Sequence, residues 1–182
     1  MIGVLVSGRG TNLQALLDAG LPVAAVASNI GGAPALERAR AAGIATAVFE
    51  LDDFASREER DGAMGDWLAE QGAELVVCAG YTHLLTPHFL ERFRAINVHP
   101  SLLPSFPGTR AVEEALAAGV GETGVTVHFV DEGIDTGPVI LQEAVRVLPG
   151  DNPDTLHARL QEVEHRLLPE AVRLYLAGAL RS

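Results

Sequence analysis

The chain has 182 residues, of which 48% are apolar and only 5% are aromatic. That length and composition suit a single α/β domain with an aliphatic core rather than a disordered or fibrous chain. The formal net charge is −11, and all 13 basic residues are arginines. The lack of lysine excludes Schiff-base chemistry and a GxxxxGK[ST] phosphate loop. The acidic balance argues against a nucleic-acid partner.

A single cysteine, Cys78, rules out an internal disulfide and a cysteine-rich zinc site. No group of His, Asp and Glu has convincing metal-ligand spacing, so we expect no metal. The N-terminus lacks the pattern of a signal peptide, and no apolar run is long enough to cross a bilayer. The sequence therefore predicts a cytoplasmic protein without a membrane partner.

The first half alternates apolar runs of strand length with helical patterns. The predicted strands are Ile2–Ser7, Pro22–Ala27, Ala45–Phe49 and Leu75–Ala79, and the predicted helices are Asn12–Ala19, Ala35–Ala42 and Arg57–Gln71. Short βα connections of this kind are typical of a parallel sheet with helices on both faces. We expect a Rossmann-type N-terminal half.

The second half does not follow this regular alternation of strands and helices. It predicts a strand at Ala95–His99, a proline-rich loop, a short helix at Ala111–Ala118, strands at Gly124–Val130 and Pro138–Val147, and an amphipathic helix at Leu156–Leu176 that is interrupted or kinked near Pro169. The fold class predicted is α/β, a three-layer, mostly parallel twisted sheet with helices on both faces. We expect one domain over residues 1–182, with halves at 1–94 and 95–182.

The segment Ser7-Gly8-Arg9-Gly10-Thr11-Asn12 lies at a strand end just before a helix. Backbone N–H groups at a helix start bind phosphate without lysine, and glycines let the ligand approach closely. A tight turn with Thr11 or Asn12 as the N-cap explains the segment equally well. A dinucleotide fingerprint is less favoured, because Leu13 stands where GxGxxG needs its third glycine.

The segment Asn97-Val98-His99-Pro100 ends a predicted strand. Residues two apart on a strand face the same side, so Asn97 and His99 present an amide and an imidazole together. The carboxyl end of a parallel strand is where open α/β sheets bind ligands. The pair suits oxyanion stabilisation and proton transfer, although an isolated strand-end histidine is more often only hydrogen-bonded.

The segment from Asp131 to Gly137 contains two glycines and three carboxylates. Taken alone, it is best explained as a solvated turn. His128 is either packed or site-lining. Glu162, Glu164 and His165 lie on the last helix, where charged residues usually form a solvated face.

These segments together resemble a known family. The matching stretches are Ser7–Gln14, Ser28-Asn29, Gly43-Ile44, Ala79-Gly80-Tyr81, Ile96–Pro104, Pro107-Gly108, Val127–Val130, Asp135–Gln142 and Glu164-His165. They occur in the order found in the phosphoribosylglycinamide formyltransferase family, the folate-dependent enzymes of purine synthesis. Thr82-His83 stands where many members have Met-Arg.

The resemblance implies a role for each matching position. Asn97, His99 and Asp135 match the catalytic residues, and Glu164 matches the carboxylate that positions the substrate amine, in place of a solvated face. The ribose phosphate is then held by Gly10, Thr11 and Asn12. The folate is bound by Arg57, Thr82, His83, Leu84, Leu85, Val130, Asp131, Glu132 and Ile134.

The expected reaction is formyl transfer from 10-formyltetrahydrofolate to the amine of glycinamide ribonucleotide. Methionyl-tRNA formyltransferase shares several of these elements but needs a C-terminal tRNA-binding domain, and formyltetrahydrofolate deformylase carries an extra N-terminal domain. A non-catalytic phosphate-binding module is the alternative from another class. We expect small-molecule partners only, and a monomer or homodimer.

Overall fold

The computed structural model describes residues 1–180. Its residues form two compact units, of which the first is Met1–Ile96 and the second begins at Asn97. Strand β5 (Arg94–His99) crosses that boundary, so its last three residues belong to the second unit.

The first unit is a parallel sheet with helices between its strands. The strands are β1 (Ile2–Val6), β2 (Val23–Ser28), β3 (Ala45–Val48) and β4 (Leu75–Cys78), in the order β3-β2-β1-β4. All three neighbouring pairs are parallel. The helices are α1 (Thr11–Asp18), α2 (Pro34–Ala41), α3 (Arg57–Glu70) and α4 (Pro87–Arg92), with a short 3-10 helix at Leu51–Asp53.

Burial explains why these strands lack polar alternation. Every residue of β1 and of β4 is buried. A parallel strand covered on both sides is expected to be an uninterrupted apolar run, as both sequences are. The polar residues that follow these strands are thereby left at the carboxyl edge of the sheet.

The second unit has the strand order β5-β6-β7, with β6 at Glu122–Phe129 and β7 at Val139–Arg146. These last two strands are antiparallel. Exposed and partly buried residues alternate through most of β7, as expected for a strand with one solvated face. Helix α5 (Ala111–Ala117) packs on the long helix α6 (Pro153–Leu176), which also contacts β6 and β7.

The interruption predicted near Pro169 is absent from helix α6. The helix is continuous from Pro153 to Leu176 with Pro169 inside it. Asn152 and Thr155 form a capping box at its start. Pro169 is buried together with Leu167, Leu168 and other apolar residues of α6, so packing offsets the hydrogen bond that proline removes.

The seven strands form a mostly parallel sheet accompanied by helices, which confirms the predicted α/β fold class. Observed element ends either coincide with the predicted ones or differ from them by one to three residues. The short helix α4 and the 3-10 helix were not predicted. Within residues 1–180, no helix combines the length and apolar character needed to span a membrane.

Candidate active site

Strand β5 places Asn97 and His99 on one side, with Val98 between them. His99 is 5% exposed and Val98 is 9% exposed, while Asn97 is partly accessible. The alternation of the strand therefore brings the amide and the imidazole together. The sequence predicted this pairing.

The acidic turn after β6 brings Asp135 to the same place. Asp135 has a φ of 55°, in the left-handed region that aspartate tolerates better than most residues. Gly137 follows because a Cβ there would lie 1.7 Å from the Phe129 carbonyl oxygen. Phe129 N–H also donates to the Pro138 carbonyl at 2.9 Å. The turn is thus fixed by backbone contacts that only this glycine permits.

Asp135 lies between two histidines. Its Oδ2 is 3.4 Å from His99 Nδ1, and its Oδ1 is 3.6 Å from His128 Nε2. The Gly108 N–H donates to Oδ2 at 2.8 Å. Asn97 Nδ2 lies 3.3 Å from His128 Nε2. The second unit therefore brings the three predicted catalytic residues into one cluster and adds His128 to it.

In both histidines, the ring nitrogen that faces away from Asp135 defines the tautomer. His99 Nε2 is 2.8 Å from the Phe106 carbonyl oxygen, and His128 Nδ1 is 2.9 Å from the Phe129 carbonyl oxygen. A carbonyl only accepts, so each of these ring nitrogens carries a hydrogen and donates. Each ring therefore turns its other nitrogen toward Asp135. One additional proton on either ring completes a hydrogen bond to the carboxylate, so the cluster is built to accept and release a proton.

The pKa of Asp135 is lowered. Burial of the carboxyl raises its pKa, but the contact with His128, the hydrogen bond from the Gly108 N–H and the nearby His99 together lower it further than burial raises it. Asp135 is therefore ionised at neutral pH. An ionised carboxylate in this position orients the His99 ring.

The proline-rich loop supplies the other wall of this cluster. Phe106, which accepts from His99, has a φ of 52°, an uncommon value for a bulky residue. Two non-glycine residues in the left-handed region thus contact the same histidine. Such conformations each cost about 1–3 kcal/mol and are concentrated at functional sites.

A cleft of about 290 Å³ opens beside Asp135. Its lining is mostly apolar, from Leu103, Pro104, Pro107, Ile134, Asp135, Thr136, Gly137 and Val139. An apolar cleft with one ionised group is typical of a small-molecule site. Ile134, a predicted folate residue, is 54% exposed and lies in its wall.

The other predicted residues of this turn are arranged differently. Asp131 Oδ1 accepts from the Gly133 N–H at 3.0 Å and from the Thr136 hydroxyl at 2.6 Å, so it organises the turn. Val130 is partly buried and Glu132 is exposed. Neither is among the residues that line the cleft.

Glu164 lies on α6 and is 5% exposed, whereas Glu162 is exposed. The solvated-face interpretation is therefore wrong for Glu164. A buried carboxylate is costly unless it is partnered, so this position is distinct from the solvated charges of the same helix.

The glycine loop of the first unit leads into α1. Gly10 has a φ of 80°, and a Cβ there would lie 2.6 Å from the Ala35 Cβ. Thr11 and Asn12 form the first turn of the helix, and no side chain among residues 1–180 caps it. The N-cap interpretation of Thr11 or Asn12 is therefore wrong. First-turn N–H groups lack intrahelical acceptors, so this end of α1 suits an anion.

Helix α2 holds this loop through a residue that the sequence analysis missed. Arg38 Nε donates to the Arg9 carbonyl at 2.7 Å, and the Ala35 N–H donates to the Gly8 carbonyl at 3.0 Å. Arg38 Nη1 also lies 3.4 Å from Gln14 Oε1. No motif flags Arg38, because its role depends on packing between two helices.

Replacing Arg38 by methionine should loosen the glycine loop while keeping the apolar stem of the side chain. We expect the KM for a phosphorylated substrate to rise about threefold to tenfold, since the charge-assisted hydrogen bonds to the Arg9 carbonyl and to Gln14 are lost, with little change in kcat. Arg40→Ala is the matched control, because Arg40 is exposed and forms a surface ion pair with Glu37 on its own helix. Equal effects of the two substitutions would contradict this role.

The predicted folate residues of the first unit lie where α3 meets the loop after β4. Arg57 Nη2 donates to the Leu84 carbonyl at 2.6 Å. Thr82 is exposed but anchored, because its N–H donates to Ser7 Oγ at 3.0 Å and its hydroxyl accepts from Asn29 Nδ2 at 3.3 Å. Leu85 is buried, and Leu84 is 47% exposed.

Within residues 1–180, no group of three or more His, Cys, Asp or Glu side chains is arranged to hold a metal ion. Cys78 is buried at the end of β4. Burial and the nearby Asp61 carboxylate raise the pKa of its thiol to about 12, which makes it unreactive.

Known proteins match the chain closely. It is 42% identical to phosphoribosylglycinamide formyltransferase of Haemophilus influenzae, over 99% of this chain and 89% of that protein. The crystal structure of glycinamide ribonucleotide transformylase 1 from Symbiobacterium toebii has a TM-score of 0.97 and 46% identity, covering 100% of this chain and 89% of that chain.

The chain also matches a segment of a much longer protein. It is 45% identical to the trifunctional purine biosynthetic protein adenosine-3 of Drosophila pseudoobscura pseudoobscura, over 99% of this chain but 14% of that protein. The family model described as formyl transferase matches residues 1–172. The chain therefore belongs to the formyl transferase family.

Proposed function

We propose that the chain transfers a formyl group from 10-formyltetrahydrofolate to the amine of glycinamide ribonucleotide in purine biosynthesis. The observation that carries the proposal is the cluster of Asn97, His99 and Asp135 in the second unit. An amide donor, an imidazole and an ionised carboxylate are the groups that acyl transfer to an amine needs. Relatives that match nearly the whole chain are phosphoribosylglycinamide formyltransferases.

The reaction exchanges one carbon–nitrogen bond for another. The amine nitrogen attacks the formyl carbon, and the carbonyl oxygen becomes an oxyanion in a tetrahedral intermediate. The bond to folate N10 then breaks, and a proton passes from the attacking amine to N10. Asn97 Nδ2 carries two hydrogens, so one contacts His128 while the other donates to the oxyanion.

His99 and Asp135 assist the proton transfer in this mechanism. The Asp135 carboxylate is ionised and faces His99 Nδ1 at 3.4 Å. It therefore stabilises the imidazolium that helps to neutralise the oxyanion, and it holds the ring and an ordered water in place. Because the far side of His99 donates to Phe106, the ring does not rotate away while the proton moves.

The remaining roles are those that the resemblance to the family implies. The start of α1, with Gly10, Thr11 and Asn12, binds the substrate phosphate through backbone N–H groups. Glu164 holds the substrate amine. The folate is bound by the loop that contains Thr82 to Leu85, by Arg57, and by the turn from Val130 to Ile134. The substrates are small molecules, the donor is folate-derived, and the site of action is the cytoplasm.

The test is to mix the protein with 10-formyltetrahydrofolate and glycinamide ribonucleotide and to follow the folate absorbance. We expect folate consumption that depends on the amine, with formylglycinamide ribonucleotide as the product by mass spectrometry. Consumption without the amine would indicate a deformylase instead. Consumption with a different amine, and none with this one, would indicate another formyltransferase.

A further inference from the structure

A fully buried ion pair lies on the first turns of α3. Arg60 and Asp61 are 0% and 1% exposed, and Arg60 Nε donates to Asp61 Oδ1 at 2.7 Å. The other carboxylate oxygen of Asp61 accepts the Thr86 N–H at 2.8 Å. The pair is therefore anchored to the loop that follows β4.

Such a pair does little for stability by itself. Desolvating two charges costs about as much as their attraction returns, and apolar residues of similar volume often replace a buried pair without loss. Arg60 Nη2 is buried and makes no hydrogen bond within residues 1–180, which adds to the cost. A positioning role explains why the chain keeps this cation.

Arg60 directs a second nitrogen donor at a histidine. Its Nη1 lies 2.8 Å from His83 Nδ1. A guanidinium is always charged and only donates, so His83 Nδ1 must accept with its lone pair. The hydrogen of the neutral ring therefore resides on Nε2.

The other edge of His83 is available to a ligand. Within residues 1–180, His83 Nε2 makes no hydrogen bond, and the residue is partly exposed. Its pKa is lowered by burial first, then by the charges of Arg60 and Arg57, against a smaller opposing effect of Asp61. The ring therefore stays neutral and presents one N–H donor.

We propose that Arg60 is a positioning residue that locks His83 in the Nε2–H tautomer, so that His83 donates a hydrogen bond to an acceptor oxygen or nitrogen of the bound folate. The ligand half of this inference rests on the proposed function, whereas the tautomer half rests on the Arg60–His83 contact alone. In this arrangement His83 contacts the folate, and Arg60 acts on the folate only through His83.

Nitrogen-15 NMR of the six histidines tests the tautomer directly. His83 is assigned by the signal lost in His83→Gln. We expect an unprotonated Nδ1 and a protonated Nε2 at neutral pH in the wild type. The double variant Arg60→Met/Asp61→Asn removes the pair without leaving a lone buried charge, and in it the tautomers should mix. A protonated Nδ1 in the wild type, or an unchanged tautomer in the folded double variant, would overturn the proposal.

Kinetics tests the ligand half. His83→Phe should raise the KM for 10-formyltetrahydrofolate about fivefold to tenfold, the effect of one lost hydrogen bond, while kcat stays within about twofold. His83→Gln keeps a neutral N–H donor and should recover most of the loss. His88→Gln is the matched control, because His88 is exposed on α4.

The outcomes separate the two proposals. If the wild type has no formyltransferase activity, the proposed function fails while the tautomer result stands. If the wild type is active and His83→Phe has an unchanged folate KM, the ligand role of His83 fails alone. Equal losses in His83→Phe and His83→Gln would also contradict it, because only one of them lacks a donor.

Discussion

Asn97→Ala is expected to lower kcat by about 10²–10³, the usual cost of one preorganised oxyanion donor. The KM values for both substrates should change little, because this contact strengthens only as the oxyanion develops. Asn97 is partly accessible at the end of β5, so the shortened side chain leaves no deep cavity. Thermal unfolding of the variant should therefore stay close to that of the wild type.

Asn97→Asp is the informative companion variant. It keeps the shape of the side chain but replaces the donor by an acceptor-only carboxylate, which repels an oxyanion. It also places a second carboxylate beside Asp135, near His128 Nε2. We expect its kcat to be at least as low as that of Asn97→Ala. Near-normal turnover in either variant would remove Asn97 from the mechanism.

The sequence alone predicted those parts of the site that depend on local structure or on a sequence motif. Strand alternation placed Asn97 and His99 on one side, and the family motif linked them to Asp135, although the turn alone favoured a solvated loop. The structure explains the motif glycines in physical terms. Gly137 avoids the Phe129 carbonyl, and Gly10 combines a positive φ with close contact to Ala35.

The sequence was insufficient where a role depends on packing between distant segments. His128 was ambiguous because its alternation on β6 fits both a packed and a site-lining residue, and only its 3.6 Å distance to Asp135 decides. Arg60 and Arg38 stand in helical stretches where arginine is ordinarily exposed. The interruption predicted near Pro169 was wrong for the same reason, since burial overrides the local preference of proline.

Asp135→Asn is expected to lower kcat by about 10² or more, since replacing the carboxylate that orients a catalytic histidine costs about 10⁴ in serine proteases. The asparagine keeps the shape and can still accept the Gly108 N–H, but it no longer carries the negative charge that faces His99 Nδ1. Asp131→Asn is the matched control, because Asp131 shapes the same turn without contacting either histidine. A comparable loss of kcat in both variants would show that turn geometry, not the charge of Asp135, limits turnover.

The free energy of unfolding of Asp135→Asn should also depend on pH differently from that of the wild type. The pKa of Asp135 is lowered in the folded protein from its ordinary value of 3.8, so the native state binds its proton less readily than the unfolded chain. Its contribution to the free energy of unfolding is therefore fully present above about pH 5 and is lost as the pH falls through the lowered pKa. Thermal unfolding of wild type and Asp135→Asn between pH 7 and about pH 3 measures this. The wild type should lose stability relative to the variant below about pH 4, and parallel curves throughout would mean that the carboxylate is not held by the two histidines and the Gly108 N–H.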